Sequence, residues 1–146
     1  MAHWLVKSEP AAWSWDDQAR GGAEPWTGVR NHQAAANLKA MRLGDTAFFY
    51  HSVEGRQIVG IVEVVREAYP DPTDPGSRWA AVDVKALTPL PRPVTLAEIK
   101  ADPRLVELPL VRQSRLSVMP IDADAWGLIL ALGGAGGSVA SSATSP

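Results

Sequence analysis

Short hydrophobic runs separated by turn-forming residues are the main pattern along this chain of 146 residues. The clearest run, Thr46–Val53, is rich in aromatic and β-branched side chains and precedes Glu54-Gly55, a pair typical of turns. A Val- and Ile-rich run over Gln57–Arg66 follows, so the two runs predict a β-hairpin. Gly60 interrupts the second run and indicates a bulge or bend. Further strands are predicted at His3–Val6, Trp79–Leu87 and Arg115–Met119.

Helices are indicated by capping residues and by apolar side chains three or four positions apart. The segment His32–Met41 carries Ala34, Leu38 and Met41 on one face. Two other segments have the spacing of a capping box, Ser14 with Asp17 and Thr95 with Glu98. Four short helices are therefore predicted, with N-caps at Ser14, Asn31, Thr95 and Asp122. Their ends are predicted at Gly21-Gly22, Gly44, about Ala101 and Gly133.

Strands interspersed with short helices predict a mixed α/β (α+β) fold, a small bent barrel of mostly antiparallel strands. Turn chemistry predicts a loop over Tyr69–Ser77, and three prolines, Pro89, Pro91 and Pro93, predict a stiff connector. We expect one domain over residues 1–134, because a chain of this length is typical of a single domain. The Gly-, Ala- and Ser-rich segment 135–146 is expected to be a disordered tail.

Composition narrows the class of function. The chain has no cysteine, which excludes disulfides and thiolate chemistry, and its net charge of −2 argues against coating duplex nucleic acid by charge. No stretch is long enough to cross a membrane, and no targeting segment is recognisable, so a cytoplasmic monomer is expected. The three histidines have no metal-ligand spacing, and no cofactor motif occurs, so neither metal nor cofactor is expected. Six tryptophans, against two Phe and two Tyr, are the unusual feature.

Candidate binding residues cluster at the predicted strand ends. Trp26 lies in a loop just before a helix N-terminus, where a flat ligand could stack beside free backbone N–H groups. Packing against the core explains a tryptophan there equally well, and composition alone favours it. Lys7-Ser8, Tyr50-His51-Ser52 and the stretch from Arg112 to Ser117 add polar side chains, and their shared placement predicts that they converge.

These segments resemble the EVE-domain family, a branch of the PUA-like superfamily related to the YTH readers of methylated adenine. The resemblance is carried by WLVKSEP at Trp4–Pro10, WTGVRNHQAAANLKAM at Trp26–Met41, GDTAFFYHS at Gly44–Ser52, IVGIVEVVREAYPDPT at Ile58–Thr73, LPRPVTLAEIK at Leu90–Lys100 and LVRQSRLSVMPI at Leu110–Ile121. It implies a pocket for one modified base. The residues implied to line it are Lys7, Ser8, Trp26, Thr27, Gly28, Val29, Asn31, Tyr50, His51, Ser52, Arg115 and Ser117.

The resemblance thus implies a non-catalytic module that recognises a methylated or otherwise modified cytosine or adenine in DNA or RNA, single-stranded or flipped out of a duplex. Trp26 would stack on the base, and Tyr69 or Trp79 would form a second aromatic wall. The candidate phosphate contacts are Arg30, Lys39, Arg42, Arg112 and Arg115.

Two alternatives stay open. A hydrolase of modified nucleosides or RNA, as in the similarly folded ASCH group, would use Lys7 with Glu9 or His51 as proton carrier. A small-molecule sensor would use the same pocket and bind free nucleotides as tightly as oligonucleotides.

Overall fold

The computed structural model describes residues 2–135 and contains one six-stranded sheet with the strand order β2-β5-β4-β3-β1-β6. The β1–β3 pair is parallel and the other four neighbouring pairs are antiparallel. This confirms the mixed α+β class with mostly antiparallel strands, and the ladder is open, with β2 and β6 at its edges. The strands are β1 (His3–Ser8), β2 (Glu24–Trp26), β3 (Thr46–His51), β4 (Gln57–Pro70), β5 (Ala80–Thr95) and β6 (Val118–Ile121).

Five short helices surround the sheet in residues 2–135, and four of them begin at the predicted caps. Ser14 and Thr95 form complete capping boxes, while the side chains of Asn31 and Asp122 each accept one backbone N–H. The fifth helix was not predicted; it is a single turn with proline at its first position. The helices are α1 (Trp15–Arg20), α2 (His32–Ala40), α3 (Leu96–Ala101), α4 (Pro109–Arg112) and α5 (Ala123–Leu132).

The core lies around the parallel pair β1 and β3. Leu5, Val6, Phe48 and Phe49 are fully buried there, because both faces of these central strands are covered. Trp126 of α5 stacks on Phe48 with ring centroids 3.9 Å apart, which packs the last helix against the sheet.

The proline-rich segment after Leu87 corrects the predicted connector. It continues β5, which runs to Thr95 and pairs with β4 through several register shifts. Beyond Val84, β5 has β4 as its ladder partner but no longer β2, so residues without an N–H are tolerated on that open edge. The late strand is also displaced, to Val118–Ile121. The predicted loop after Tyr69 starts later, since β4 extends to Pro70.

Gly60 lies at one of the register shifts in β4, as the sequence predicted. A Cβ placed at Gly60 would lie 2.5 Å from Cη2 of Trp15, so the glycine allows α1 to approach the sheet. The predicted disordered tail lies outside the described residues, apart from Ala135.

Candidate functional site

A cavity of about 560 Å³ opens where the chain leaves β1 and where it leaves β2. It contains seven of the residues that sequence reasoning assigned to a binding pocket: Lys7, Ser8, Trp26, Thr27, Gly28, Val29 and Ser117. Six further residues complete its lining, namely Glu9, Ala12, Trp13, Glu24, Pro25 and Arg30. The predicted convergence therefore occurs for the ends of β1 and β2 and for the residue before β6.

Trp26 is the last residue of β2, which pairs with β5 through Val82. Its ring is 8% exposed and meets Phe49 edge to face, with centroids 5.6 Å apart. Trp26 therefore packs against the core, as the packing interpretation expected, and the same residue lines the cavity.

Trp13 is a second cavity tryptophan, which the sequence analysis did not assign to the site. Its carbonyl accepts the Ser8 hydroxyl at 2.5 Å, and its indole N–H donates to Gln18 Oε1 at 2.9 Å. Gln18 is fully buried, and its amide in turn donates to the carbonyl of Val84 on β5 at 3.2 Å. Two side chains thus hold Trp13 in place before any ligand arrives.

The loop after Trp26 is anchored by a buried carboxylate on the β4–β5 loop. Asp71 accepts the backbone N–H of Gly28 at 2.8 Å, Nη1 of Arg30 at 3.1 Å, and both the N–H and the hydroxyl of Thr73 at 2.7 Å. Burial raises the pKa of Asp71, but the hydrogen bonds from Thr73, Gly28 and Arg30 outweigh it and bring the pKa to about 2. Asp71 is therefore ionised at neutral pH and holds the loop from two sides.

The cavity carries charge of both signs. The Nζ of Lys7 donates to the carbonyl of Ser114 at 2.9 Å, and burial lowers the pKa of Lys7. Two acidic residues, Glu9 and Glu24, belong to the same lining. Donors and acceptors for a polar ligand edge are therefore available around the two tryptophans.

Five residues expected in the pocket lie outside its lining. Tyr50 is buried beneath Lys7, whose Nζ lies 5.9 Å from the ring centroid. His51 accepts the N–H of Trp15 through Nε2 at 3.0 Å, which requires a ring unprotonated at that nitrogen, and burial lowers the pKa of His51. The remaining three are Asn31, which caps α2, Ser52, whose N–H donates to the carbonyl of Ser8, and Arg115, in a separate surface hollow.

The candidate phosphate contacts are dispersed. Arg30 is at the cavity itself, whereas Arg112 and Arg115 line the separate hollow of about 300 Å³ that also contains Asn31. Lys39 lies in the last turn of α2 and Arg42 follows it, at the helix end opposite the cavity loop. Over nine residues an α-helix is roughly 13 Å long, so these last two are remote from the cavity.

Neither aromatic residue expected as a second wall lines the cavity. The Tyr69 hydroxyl donates to Asp83, and burial together with this bond raises the pKa of Tyr69 to about 12. Trp79 stacks on His32 outside the cavity. Trp13 is instead the second aromatic residue of the lining, and its distance in sequence from Trp26 is why local pattern did not find it.

Within residues 2–135, no group of three or more His, Cys, Asp or Glu side chains is placed to hold a metal ion. No helix of that range is long and apolar enough to cross a membrane.

Comparison with known proteins supports the fold. A protein from Rhodopseudomonas palustris with a solved structure is 57% identical, with a TM-score of 0.88 over 92% of this chain and 94% of that one. Thymocyte nuclear protein 1 of Homo sapiens is 34% identical over 90% of this chain and 73% of its own length. The human protein has been crystallised with DNA containing 5-methylcytosine, and that structure has a TM-score of 0.83 over 91% of this chain and 98% of that one.

A more distant structure shares the fold alone. The YTH domain of the Zygosaccharomyces rouxii MRB1 protein is 18% identical, with a TM-score of 0.55 over 90% of this chain and 86% of that one. The model of the EVE domain family matches residues 2–132. This chain belongs to the EVE domain family.

Proposed function

We propose that this protein is a non-catalytic module that binds one modified nucleobase, unpaired or flipped out of a duplex, in the cavity between Trp13 and Trp26. The observation that carries the proposal is the pair of tryptophans tethered in one cavity of about 560 Å³. Small-ligand sites typically measure about 300–1,000 Å³. The 34%-identical human relative crystallised with 5-methylcytosine DNA supports a modified base as the ligand.

The aromatic lining supplies affinity that does not depend on net charge. Stacking a base on an aromatic side chain contributes about 1–3 kcal/mol, and burying one methyl group adds about 0.8 kcal/mol. A chain of net charge −2 can therefore bind nucleic acid locally, through one base. An unpaired base also avoids most of the unstacking cost that a duplex imposes.

The polar lining favours a base with an exocyclic amino group. The hydroxyl of Ser8 donates its hydrogen to the carbonyl of Trp13, so it can only accept hydrogen bonds from a ligand. Glu9 and Glu24 add acceptors, and Lys7 keeps two of its three ammonium hydrogens for the ring carbonyl of cytosine or a ring nitrogen of adenine. Cytosine and adenine present an amino donor that thymine and uracil lack. A modified cytosine or adenine therefore fits this lining.

The test is the affinity for single-stranded DNA carrying either 5-methylcytosine or cytosine at one position, measured at fixed salt. Trp26→Ala should weaken binding to the methylated strand about tenfold, whereas Trp26→Phe, which keeps a ring, should retain most of it. Thermal unfolding checks that both variants fold. If folded Trp26→Ala binds both strands as the parent does, the cavity is not the base site.

An enzyme is the second candidate, because Lys7 and Glu9 share the cavity and burial lowers the pKa of Lys7 toward the range of a proton acceptor. His51, the other proton carrier considered, lies outside the lining with Nε2 occupied by the Trp15 N–H. Release of product from modified nucleosides, abolished by Lys7→Met, would favour this candidate over a binding module. Equal affinity for a free nucleoside and for an oligonucleotide would instead favour a small-molecule sensor.

A further inference from the structure

A second aromatic surface lies just outside the cavity. The rings of His32, the first residue of α2, and Trp79, just before β5, pack against each other with centroids 4.8 Å apart and planes tilted by 31°. Trp79 is half-buried and His32 is exposed. We call this pair of rings the outer platform.

Packing within the protein does not account for His32. The cap of α2 is made by Asn31, and the imidazole of His32 forms no hydrogen bond within the part of the chain that the structure describes. Its contact is with Trp79 alone among the rings of that part. An aromatic ring held at the surface by stacking on another ring leaves π surface available for a flat ligand.

The backbone of Trp79 in the outer platform is fixed by hydrogen bonds. The N–H of Trp79 donates to Asp74 Oδ2 at 2.9 Å, and its carbonyl accepts the N–H of Asp71, also at 2.9 Å. Both polar groups of this residue's backbone are therefore fixed, which reduces the entropy lost when a ligand stacks there.

Arg30 joins the outer platform to the cavity. Its guanidinium carbon lies 5.9 Å from the ring centroid of Trp79, and the same residue lines the cavity. Hydrogen bonds from Nη1 to Asp71 and to the carbonyl of Val29, and from Nη2 to Thr73, hold it, while its side chain stays 40% exposed. Nε–H and one Nη2 hydrogen are left for a ligand. One cationic side chain is thus next to both the cavity and the outer platform.

We propose that the outer platform is a second stacking subsite, which binds the nucleotide adjacent in the strand to the base in the cavity. Arg30 then contacts the phosphate between the two nucleotides. This inference rests on the proposed function, because the strand is positioned by the base that enters the cavity. The occupant is a base of the same single strand, and a purine gives the larger stacked area.

The experiment uses single-stranded DNA trinucleotides with a central 5-methylcytosine, in which the 5′ or the 3′ neighbour is either adenine or an abasic site. The Kd of the abasic form divided by that of the adenine form is the neighbour ratio. On one side the parent protein should show a ratio of about ten, equal to about 1.4 kcal/mol. His32→Ala should lower it to about one, and His32→Phe, which keeps a ring, should restore it. Because His32 is exposed, thermal unfolding of both variants should match the parent.

Failure of the outer platform and failure of the cavity give different results. A neighbour ratio of one on both sides in the parent, or an unchanged ratio in His32→Ala, overturns the outer platform even while methylated DNA is preferred and Trp26→Ala weakens binding. If Trp26→Ala has no effect while the neighbour ratio still depends on His32, the proposed function is overturned, and with it the placement of the platform beside a base in the cavity. If none of the trinucleotides binds, both proposals are overturned.

Discussion

Replacing Asp71 with asparagine is the most informative perturbation of the cavity loop. The side chain of Asp71 is fully buried and accepts four hydrogen bonds, two of them from Gly28 and Arg30 in the loop after Trp26. Asparagine keeps one acceptor oxygen but has an NH₂ group in place of the other. That NH₂ group would face N–H or O–H donors, which cannot accept its hydrogens. We therefore expect Asp71→Asn to weaken both the fold and the attachment of the loop.

The lowered pKa of Asp71 sets how much its ionised carboxylate stabilises the fold and how this stabilisation depends on pH. One pKa unit corresponds to about 1.4 kcal/mol. Lowering the pKa from 3.8 to about 2 in the folded state therefore stabilises it by about 2 kcal/mol. Because the folded pKa lies below the unfolded one, this stability is fully present above about pH 4 and is lost as the pH falls toward 2. Arg30 is 40% exposed, so its ion pair contributes less to this sum than the backbone and hydroxyl donors.

The assay is urea denaturation of the parent and Asp71→Asn at several pH values. The difference in free energy of unfolding should be about 2 kcal/mol at pH 7 and should shrink between pH 4 and pH 2. Taking this difference removes the contributions of other acidic groups. DNA binding at pH 7 should also weaken in Asp71→Asn. Asp102→Asn is the control, because Asp102 also has a pKa of about 2 but pairs with Arg104 away from the cavity, so binding should not change. A pH-independent difference would refute the reasoning about the anchor.

Two further substitutions test how the site is held in place. Gly60→Ala puts a methyl group 2.5 Å from the ring of Trp15, and overpacking of this kind destabilises by about 1–3 kcal/mol, so thermal unfolding should shift down by several degrees. An unchanged midpoint would mean that α1 adjusts freely. Gln18→Ala removes the buried link between Trp13 and Val84 and should destabilise the protein by about 1–3 kcal/mol. It should also weaken binding to methylated DNA; intact binding would show that the link does not position Trp13.

Local chemistry explains which parts of the fold were predictable. The capping boxes of Ser14 and Thr95 depend on residues three positions away, and both form as expected. The course of β5 through Pro89, Pro91 and Pro93 depends instead on which strand covers each of its edges. β2 covers one edge of β5 only at residues 82–84. The sequence pattern does not show which edge of a strand is left uncovered, so a proline-rich strand cannot be distinguished from a connector.

The candidate site shows the same division. Lys7, Ser8 and Trp26 were found because they lie at strand ends or beside a helix start, which are positions readable along the chain. Trp13 and Asp71 were missed as site residues because their roles arise from partners distant in sequence. Asp71 contacts Gly28, 43 positions earlier, and Gln18, which holds Trp13, bonds to a residue 66 positions away. The turn-forming residues around Asp71 predicted a loop, but they did not indicate which residues Asp71 would contact.

The first part of β5 contributes to the positions of all three tryptophans discussed above. Trp26 is positioned by the pairing of β2 with Val82, and Trp13 by the Gln18 bond to Val84. Trp79 immediately precedes the strand, so its ring is fixed at the strand's start. Val82 and Val84 are fully buried, and a buried strand of a sheet opens less readily than a surface loop. Because one strand positions both the cavity tryptophans and the proposed outer platform, stacking of a base on them would require little reorganisation of the protein.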